Sequence, residues 1–155
     1  MNTRMIGEPV KRREDQRLLT GNASFIDDIE LPNMAHCAVL RSEHAKARIK
    51  SIDASKALAL PGVLAVITHE DIGDANDPMP LLNDDRGFIH PRQHRALAPG
   101  QVRFVGEAVA FVVAETRYLA EDAAELIEVD YEPSPAAINL MKAVEPNAPL
   151  VHDDT

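Results

Sequence analysis

A chain of 155 residues, 45% hydrophobic and 26% charged, has the length and composition of one soluble globular domain with a real core. Its formal net charge of −9 argues against a nucleic-acid footprint, which needs clustered Lys and Arg. A single cysteine excludes an internal disulfide, and also a four-cysteine iron–sulfur cluster held by this chain alone.

Residues 1–18 are polar and charged, with Gly7 and Pro9, and read as an extended arm. Lys11, Arg12, Arg13 and Arg17 sit among Glu14 and Asp15, the pattern of a solvated or docking tail. The opening MNTRMIGEPV lacks a secretory apolar core. No run approaches the ~20 apolar residues of a membrane span. A cytoplasmic protein is expected. Thr20-Gly21-Asn22 is turn chemistry. Phe25-Ile26 reads as a short strand turning at Asp27-Asp28, and Leu31-Pro32-Asn33 as a second turn.

Met34–Arg41 is apolar and β-compatible, and predicts a buried strand. Cys37 within it reads as an inert buried thiol. His36 faces the other way and is a poor base for it. Ala47–Ile52 alternates like a strand with one wet side. Asp53 is placed to cap a helix over 54–60, which Pro61-Gly62 ends. VLAVIT (63–68) predicts a buried strand, and Thr68 can cap a helical turn at 69–72.

Residues 73–100 hold Pro78, Pro80, Pro91 and Pro99 and show no period. A loop of that length is usually functional, interfacial or disordered. Ala108–Ala114 is continuously apolar and reads as a central strand. Thr116 caps a helix to Leu126, with Leu119, Ala123, Leu126 and Ile127 on its apolar face. Glu128–Tyr131 is the next strand. Pro133 and Pro135 then break the pattern, and Met141–Val144 allows one helical turn.

Strand–helix–strand units at 47–68 and 108–131 make the class α+β, with a mixed sheet and helices packed mainly on one face. The predicted organisation is an arm (1–18), a single domain (19–135, with the loop 73–100) and a Pro-rich extension (136–155).

Chemistry is sparse. The seven glycines form neither GxGxxG nor GxxxxGK, and there is no GxSxG elbow. His90 and His94 are four apart in HPRQH. Pro91 disfavours the helix that would pair them on a metal, and no HExxH glutamate accompanies them. Solvated loop histidines are expected. The doublets Asp27-Asp28, Asp84-Asp85 and Asp153-Asp154 suit turns and caps better than paired-carboxylate catalysis. Gly106 and Glu107, in FVGE, are the candidate interface residues. Gly106 allows an unusual angle or a close approach, and Glu107 reads either as a buried or interface carboxylate that needs a partner and fixes the domain against a neighbour, or as an exposed strand-start residue. No catalytic, cofactor-binding or metal-binding residue is assigned.

Two blocks carry a resemblance: VRFVGEAVAFVVAETRYLAEDAAELIEVDYEP (102–133) and RREDQRLLTGNASFIDDIELPNMAHCAVLRSEHAKARIKSID (12–53). Over residues 7–154 the chain resembles the start of the large subunit of the aldehyde oxidase/xanthine dehydrogenase family, the molybdenum hydroxylases, especially the carbon monoxide dehydrogenase-like branch. The resemblance implies an α/β hammerhead domain. It also implies an enzyme whose molybdopterin-type molybdenum cofactor and base lie in a downstream domain, with [2Fe–2S] and FAD on other domains or subunits. Those domains would be the partners, and none of these groups would be bound by this chain. The expected role is structural and not catalytic alone. The alternative is a free-standing binding or interaction module that reuses the fold.

Overall fold

The apolar runs of the sequence become two three-stranded antiparallel sheets in a computed structural model that describes residues 7, 9–79 and 94–152. The chain separates into two compact units, Met1–Met34 and Ala35–Thr155.

The first unit departs from the sequence reading. Asp15–Leu19 is a short helix (α1), where an extended arm was expected. The Thr20 hydroxyl donates to the Gln16 carbonyl at 2.7 Å and closes its end. Ile26–Asp28 is a 3-10 turn, where a strand was expected. The Asp28 carboxylate accepts the Phe25 N–H at 2.9 Å, so the acidic doublet does cap a turn.

In the second unit, β1 (His36–Arg41), β5 (Ala108–Ala114) and β3 (Val63–Thr68) form one sheet in that order. The other sheet has the order β4 (Gln101–Val102), β2 (Ala47–Asp53), β6 (Glu128–Pro133). The expected mixed sheet is thus corrected, while the α+β class stands. The reason lies in the crossovers. α2 (Ser55–Leu58) carries the chain from β2 in one sheet to β3 in the other, and α4 (Arg117–Glu125) carries it from β5 back to β6. Neither unit returns to its own sheet, so no parallel pair forms.

β5 is central, paired with β1 through Val39↔Phe111 and with β3 through Ile67↔Phe111. Its two faces serve two cores, because successive side chains alternate. Val109 packs with Ala47, Ala98 and Val102. Val112, on the opposite face, packs with Ala57, Ala123 and Ile127 beneath the helices. This double burial is why the strand is uniformly apolar. Each fully buried valine contributes roughly 1.5–3 kcal/mol. Ala57, Ala120 and Ala123 are fully buried, and their small size lets the helices lie close to the sheet.

Caps follow the sequence. Leu119 N–H donates to Thr116 Oγ1 at 3.2 Å, and Ser55 N–H donates to Asp53 Oδ1 at 2.9 Å. Thr68 begins α3 (His69–Ile72) by donating its N–H and its hydroxyl to Asp71 Oδ2, each at 2.7 Å. The hydroxyl bond foremost, then the N–H bond, holds the Asp71 carboxyl below its usual value. A depressed folded pKa contributes stability above the unfolded pKa and loses it as pH falls through the folded one. Asp71→Asn is therefore expected to flatten the acid-side fall in melting temperature below about pH 4, and to leave the slope between about pH 7 and 9 unchanged. Circular dichroism melts across that range check this.

Cys37 is exposed, which corrects the expected buried thiol. β1 is an edge strand, and Cys37 and Arg41 are its two exposed positions.

Candidate interaction site

Five residues, 103–107, join β4 to β5, and Gly106 allows a tight turn over the last four of them. Glu107 N–H donates to the Phe104 carbonyl at 3.3 Å, which closes a turn over Phe104-Val105-Gly106-Glu107. Gly106 has φ +91°, while Val105 is not left-handed. That combination is the type II geometry, whose third residue favours glycine. A Cβ on Gly106 would meet nothing within 4 Å. The glycine is thus needed for its angle, not for close approach of this chain.

Glu107 is half-buried. Its carboxylate accepts the Arg103 N–H and its carbonyl accepts Ser42 N–H at 2.9 Å. Ser42 returns the tie, since Gly106 N–H donates to its carbonyl at 2.7 Å. The Arg41 guanidinium donates to the Gly106 carbonyl at 2.9 Å. The carboxylate therefore has an internal partner, and the turn is a braced projection. Its tip carries Phe104 and Val105, both exposed.

Beside this turn runs the segment after β6. Lys46, only 8% exposed, holds it at both ends. Ser134 N–H donates to the Lys46 carbonyl at 3.0 Å, and Lys46 Nζ donates to the Leu150 carbonyl at 2.8 Å. Within the clasp, Asn139 Oδ1 accepts the N–H groups of Met141 and Lys142 at 3.0 and 3.1 Å, starting the 3-10 turn Lys142–Val144. The clasped segment leaves Ile138, Leu140, Met141 and Val144 at 77–86% exposure. Large apolar side chains left this exposed in one segment make it a candidate contact surface. A groove of about 200 Å³ lies between the turn and the segment, lined by Lys46, Arg103, Phe104, Val105, Ile138 and Val151 among others.

Asn76 pins the start of the loop 73–100 to its return. It is 1% exposed. Its Oδ1 accepts Leu97 N–H at 3.1 Å, and its Nδ2 donates to the Leu97 carbonyl at 2.9 Å. Nδ2 also lies 2.7 Å from His69 Nδ1. His94 sets its ring edge-on to Phe104 with centroids 5.5 Å apart, while His90, Asp84, Asp85, Asp153 and Asp154 lie outside the described residues. Among the described residues no group of three or more His, Cys, Asp or Glu is placed to hold a metal, and no helix is long and apolar enough to cross a membrane.

Sequence reasoning found the Gly106–Glu107 turn. It missed Asn76, Lys46 and Arg103. A lone polar residue in a loop or beside a strand gives no periodic signal, and its importance appears only when the backbone closes around it.

A family model described as "Aldehyde oxidase and xanthine dehydrogenase, a/b hammerhead domain" matches residues 20–135. The chain belongs to this family. The chain is 49% identical over 145 residues to the carbon monoxide dehydrogenase large chain of Afipia carboxidovorans, covering 93% of this chain and 17% of that one. It is 42% identical to the 6-hydroxypseudooxynicotine dehydrogenase complex subunit gamma of Paenarthrobacter nicotinovorans, covering 90% of this chain and 18% of the relative. The crystal structure of a Cu,Mo-CO dehydrogenase superposes with a TM-score of 0.84 at 48% identity, over 96% of this chain and 18% of that one. The aldehyde oxidoreductase of Desulfovibrio desulfuricans does so with a TM-score of 0.84 at 29% identity, over 94% and 16%. The chain thus spans less than a fifth of each of these relatives' length.

Proposed function

We propose that the chain is the structural and assembly portion of the large chain of a molybdenum-dependent hydroxylase-type oxidoreductase. The observation that carries this is the pairing of 93% coverage of this chain with 17% coverage of the carbon monoxide dehydrogenase large chain. A segment of that kind contributes frame and contact surface. The described residues bring together no metal-capable donor set, and no step of the chemistry is assigned to them. In the complete enzyme a molybdenum pterin would supply the oxidising centre. It would be held by a pterin-binding domain, with iron–sulfur and flavin groups on further domains or subunits.

In this reading residues 1–18 are an arm, 19–135 the hammerhead and 136–155 an extension toward the pterin-binding part. The Gly106–Glu107 turn is one of its contacts, and the location is the cytoplasm. The braced turn and the exposed Ile138–Val144 segment support the contact role, since both present large apolar side chains to solvent.

The test is a chimera. This chain replaces the matching segment of the Afipia carboxidovorans large chain, expressed with its companion subunits. The expected result is an assembled enzyme with molybdenum content within about twofold of the parent, because nearly half the residues are identical. A chimera that folds but stays free of molybdenum sinks the reading. So does the isolated 155-residue chain if it binds molybdenum and turns over substrate. A chain that binds a small ligand or an unrelated protein instead returns the free-standing module.

A further inference from the structure

The groove between the Phe104–Val105 turn and the Ile138–Val151 segment is lined by apolar side chains together with two basic ones. Val105 and Ile138 both line it, 64% and 86% exposed. Lys46 and Arg103 also line it, and Arg103 borders the neighbouring groove of Arg48, Gln101 and Glu132 as well. Lys46 Nζ is engaged with the Leu150 carbonyl at 2.8 Å. Arg103 differs, because its Nε is buried and has no hydrogen-bond partner. Its Nη1 reaches only the Gln101 carbonyl, at a long 3.4 Å. The nearby Glu107 carboxylate takes the Arg103 backbone N–H rather than the guanidinium. None of the ion pairs among the described residues includes Arg103.

A buried donor without an acceptor is unfavourable. A guanidinium presents its donors as a fork suited to a carboxylate. Exposed apolar side chains in the same groove suit a large aliphatic or aromatic side chain. The two features sit in one groove and describe one ligand.

We propose that this groove receives a segment of the remaining large-chain polypeptide, one that sets a large apolar side chain between Val105 and Ile138 and a neighbouring carboxylate on Arg103. The inference rests on the hammerhead reading above and deepens it by naming the contact. Two arguments select this occupant. The relatives extend far beyond the matched region, which is 17% of the Afipia large chain, so a covering segment is available within the same polypeptide. A second copy of this chain carries a net charge of −9 and would be repelled.

The experiment uses the chimeric enzyme and the isolated chain side by side. Hydrogen exchange is measured at residues 103–106 and 136–138 in both. The expected result is at least tenfold slower exchange in the chimera at these amides. Equal exchange in the two overturns the proposal, whatever any variant does. Val105→Asp and Arg103→Gln are then placed in the chimera, with Leu64→Asp as a control. Leu64 is 57% exposed and lies outside the groove. The two groove variants are expected to lower the yield of assembled enzyme about fivefold or more, the scale of an interface hot spot. Arg103→Lys is expected not to rescue, since an ammonium lacks the planar fork of the guanidinium. The control is expected to assemble normally.

If Arg103→Lys assembles as well as the parent, the fork contact is wrong. If the groove variants assemble normally while the parent chimera also does, the groove is wrong and the hammerhead reading survives. If the parent chimera itself fails to assemble, the hammerhead reading falls and this inference falls with it. Sedimentation of the isolated chain covers the last alternative. A dimer abolished by Val105→Asp would assign the groove to a second copy and overturn the occupant named here.

Discussion

Asn76→Ala is expected to destabilise the second unit by about 3 kcal/mol, with a loss of roughly 9 °C in melting temperature for a chain of this size. The reason is the number of backbone groups it would strand. Asn76 is 1% exposed. It satisfies both the N–H and the carbonyl of Leu97, which is itself fully buried. Alanine would leave that donor and that acceptor unpaired out of water, at about 1–3 kcal/mol each. The double contact also settles the orientation of the amide. Only Oδ1 can accept from the Leu97 N–H, so Nδ2 faces the carbonyl and His69 Nδ1. An amide nitrogen donates, so the histidine accepts there and carries its proton on Nε2.

Asn76→Asp separates these contributions. The carboxylate keeps an acceptor for Leu97 N–H but sets a second oxygen against the Leu97 carbonyl. Burial and that repulsion raise its pKa. The variant's folded state then prefers the protonated acid, so its deficit is expected to grow as pH rises from about 4 to 7. Thermal melts at the two pH values check both variants. A loss below about 1 kcal/mol for Asn76→Ala would mean that water replaces the amide at this position.

The sequence revealed elements well and their partners poorly. β5 was legible because seven apolar residues in succession need cover on both faces. α4 was legible because Thr116 and the run of alanines mark a capped helix that lies close to a sheet. What the local pattern does not carry is which sheet a strand joins. β2 and β6 pair through Ile52↔Val129, across 76 intervening residues, and nothing within either strand announces the other. The two strand–helix–strand units suggested parallel neighbours because such units usually return to their own sheet. Here they exchange sheets. The Cys37 prediction failed for a related reason. The run AHCAVL is apolar enough for a central strand, yet β1 lies at an edge, where one thiol can face water. The interaction site divides in the same way. Gly106 was visible because a left-handed turn demands glycine. The partner groups of the turn, Ser42 and Arg41, come from a distant strand end, and the Lys46 clasp depends on where the last twenty residues pass.

Ile127→Ala is the second large effect, expected at about 3 kcal/mol, read as a fall in the urea midpoint. The apolar face of α4 was drawn through Leu119, Ala123, Leu126 and Ile127, and these positions do not carry equal weight. Ile127 is 7% exposed and closes the cluster formed with Ala57, Val112 and Ala123. Leu126 is 37% exposed. Leu126→Ala is therefore expected to cost less than about 1 kcal/mol. Ile127 also occupies the point where the chain passes from the helix on one sheet to β6 of the other. Ile52 and Val129, from the second sheet, pack against the Ile127 cluster and against the Val109 cluster alike. A cavity at Ile127 thus loosens side chains that both cores share. The unfolding transition is expected to stay single, with an unchanged denaturant slope, because the two sheets have no independent core to retain. A biphasic transition in Ile127→Ala, with one sheet melting first, would show that the clusters are separable and that this residue does not couple them.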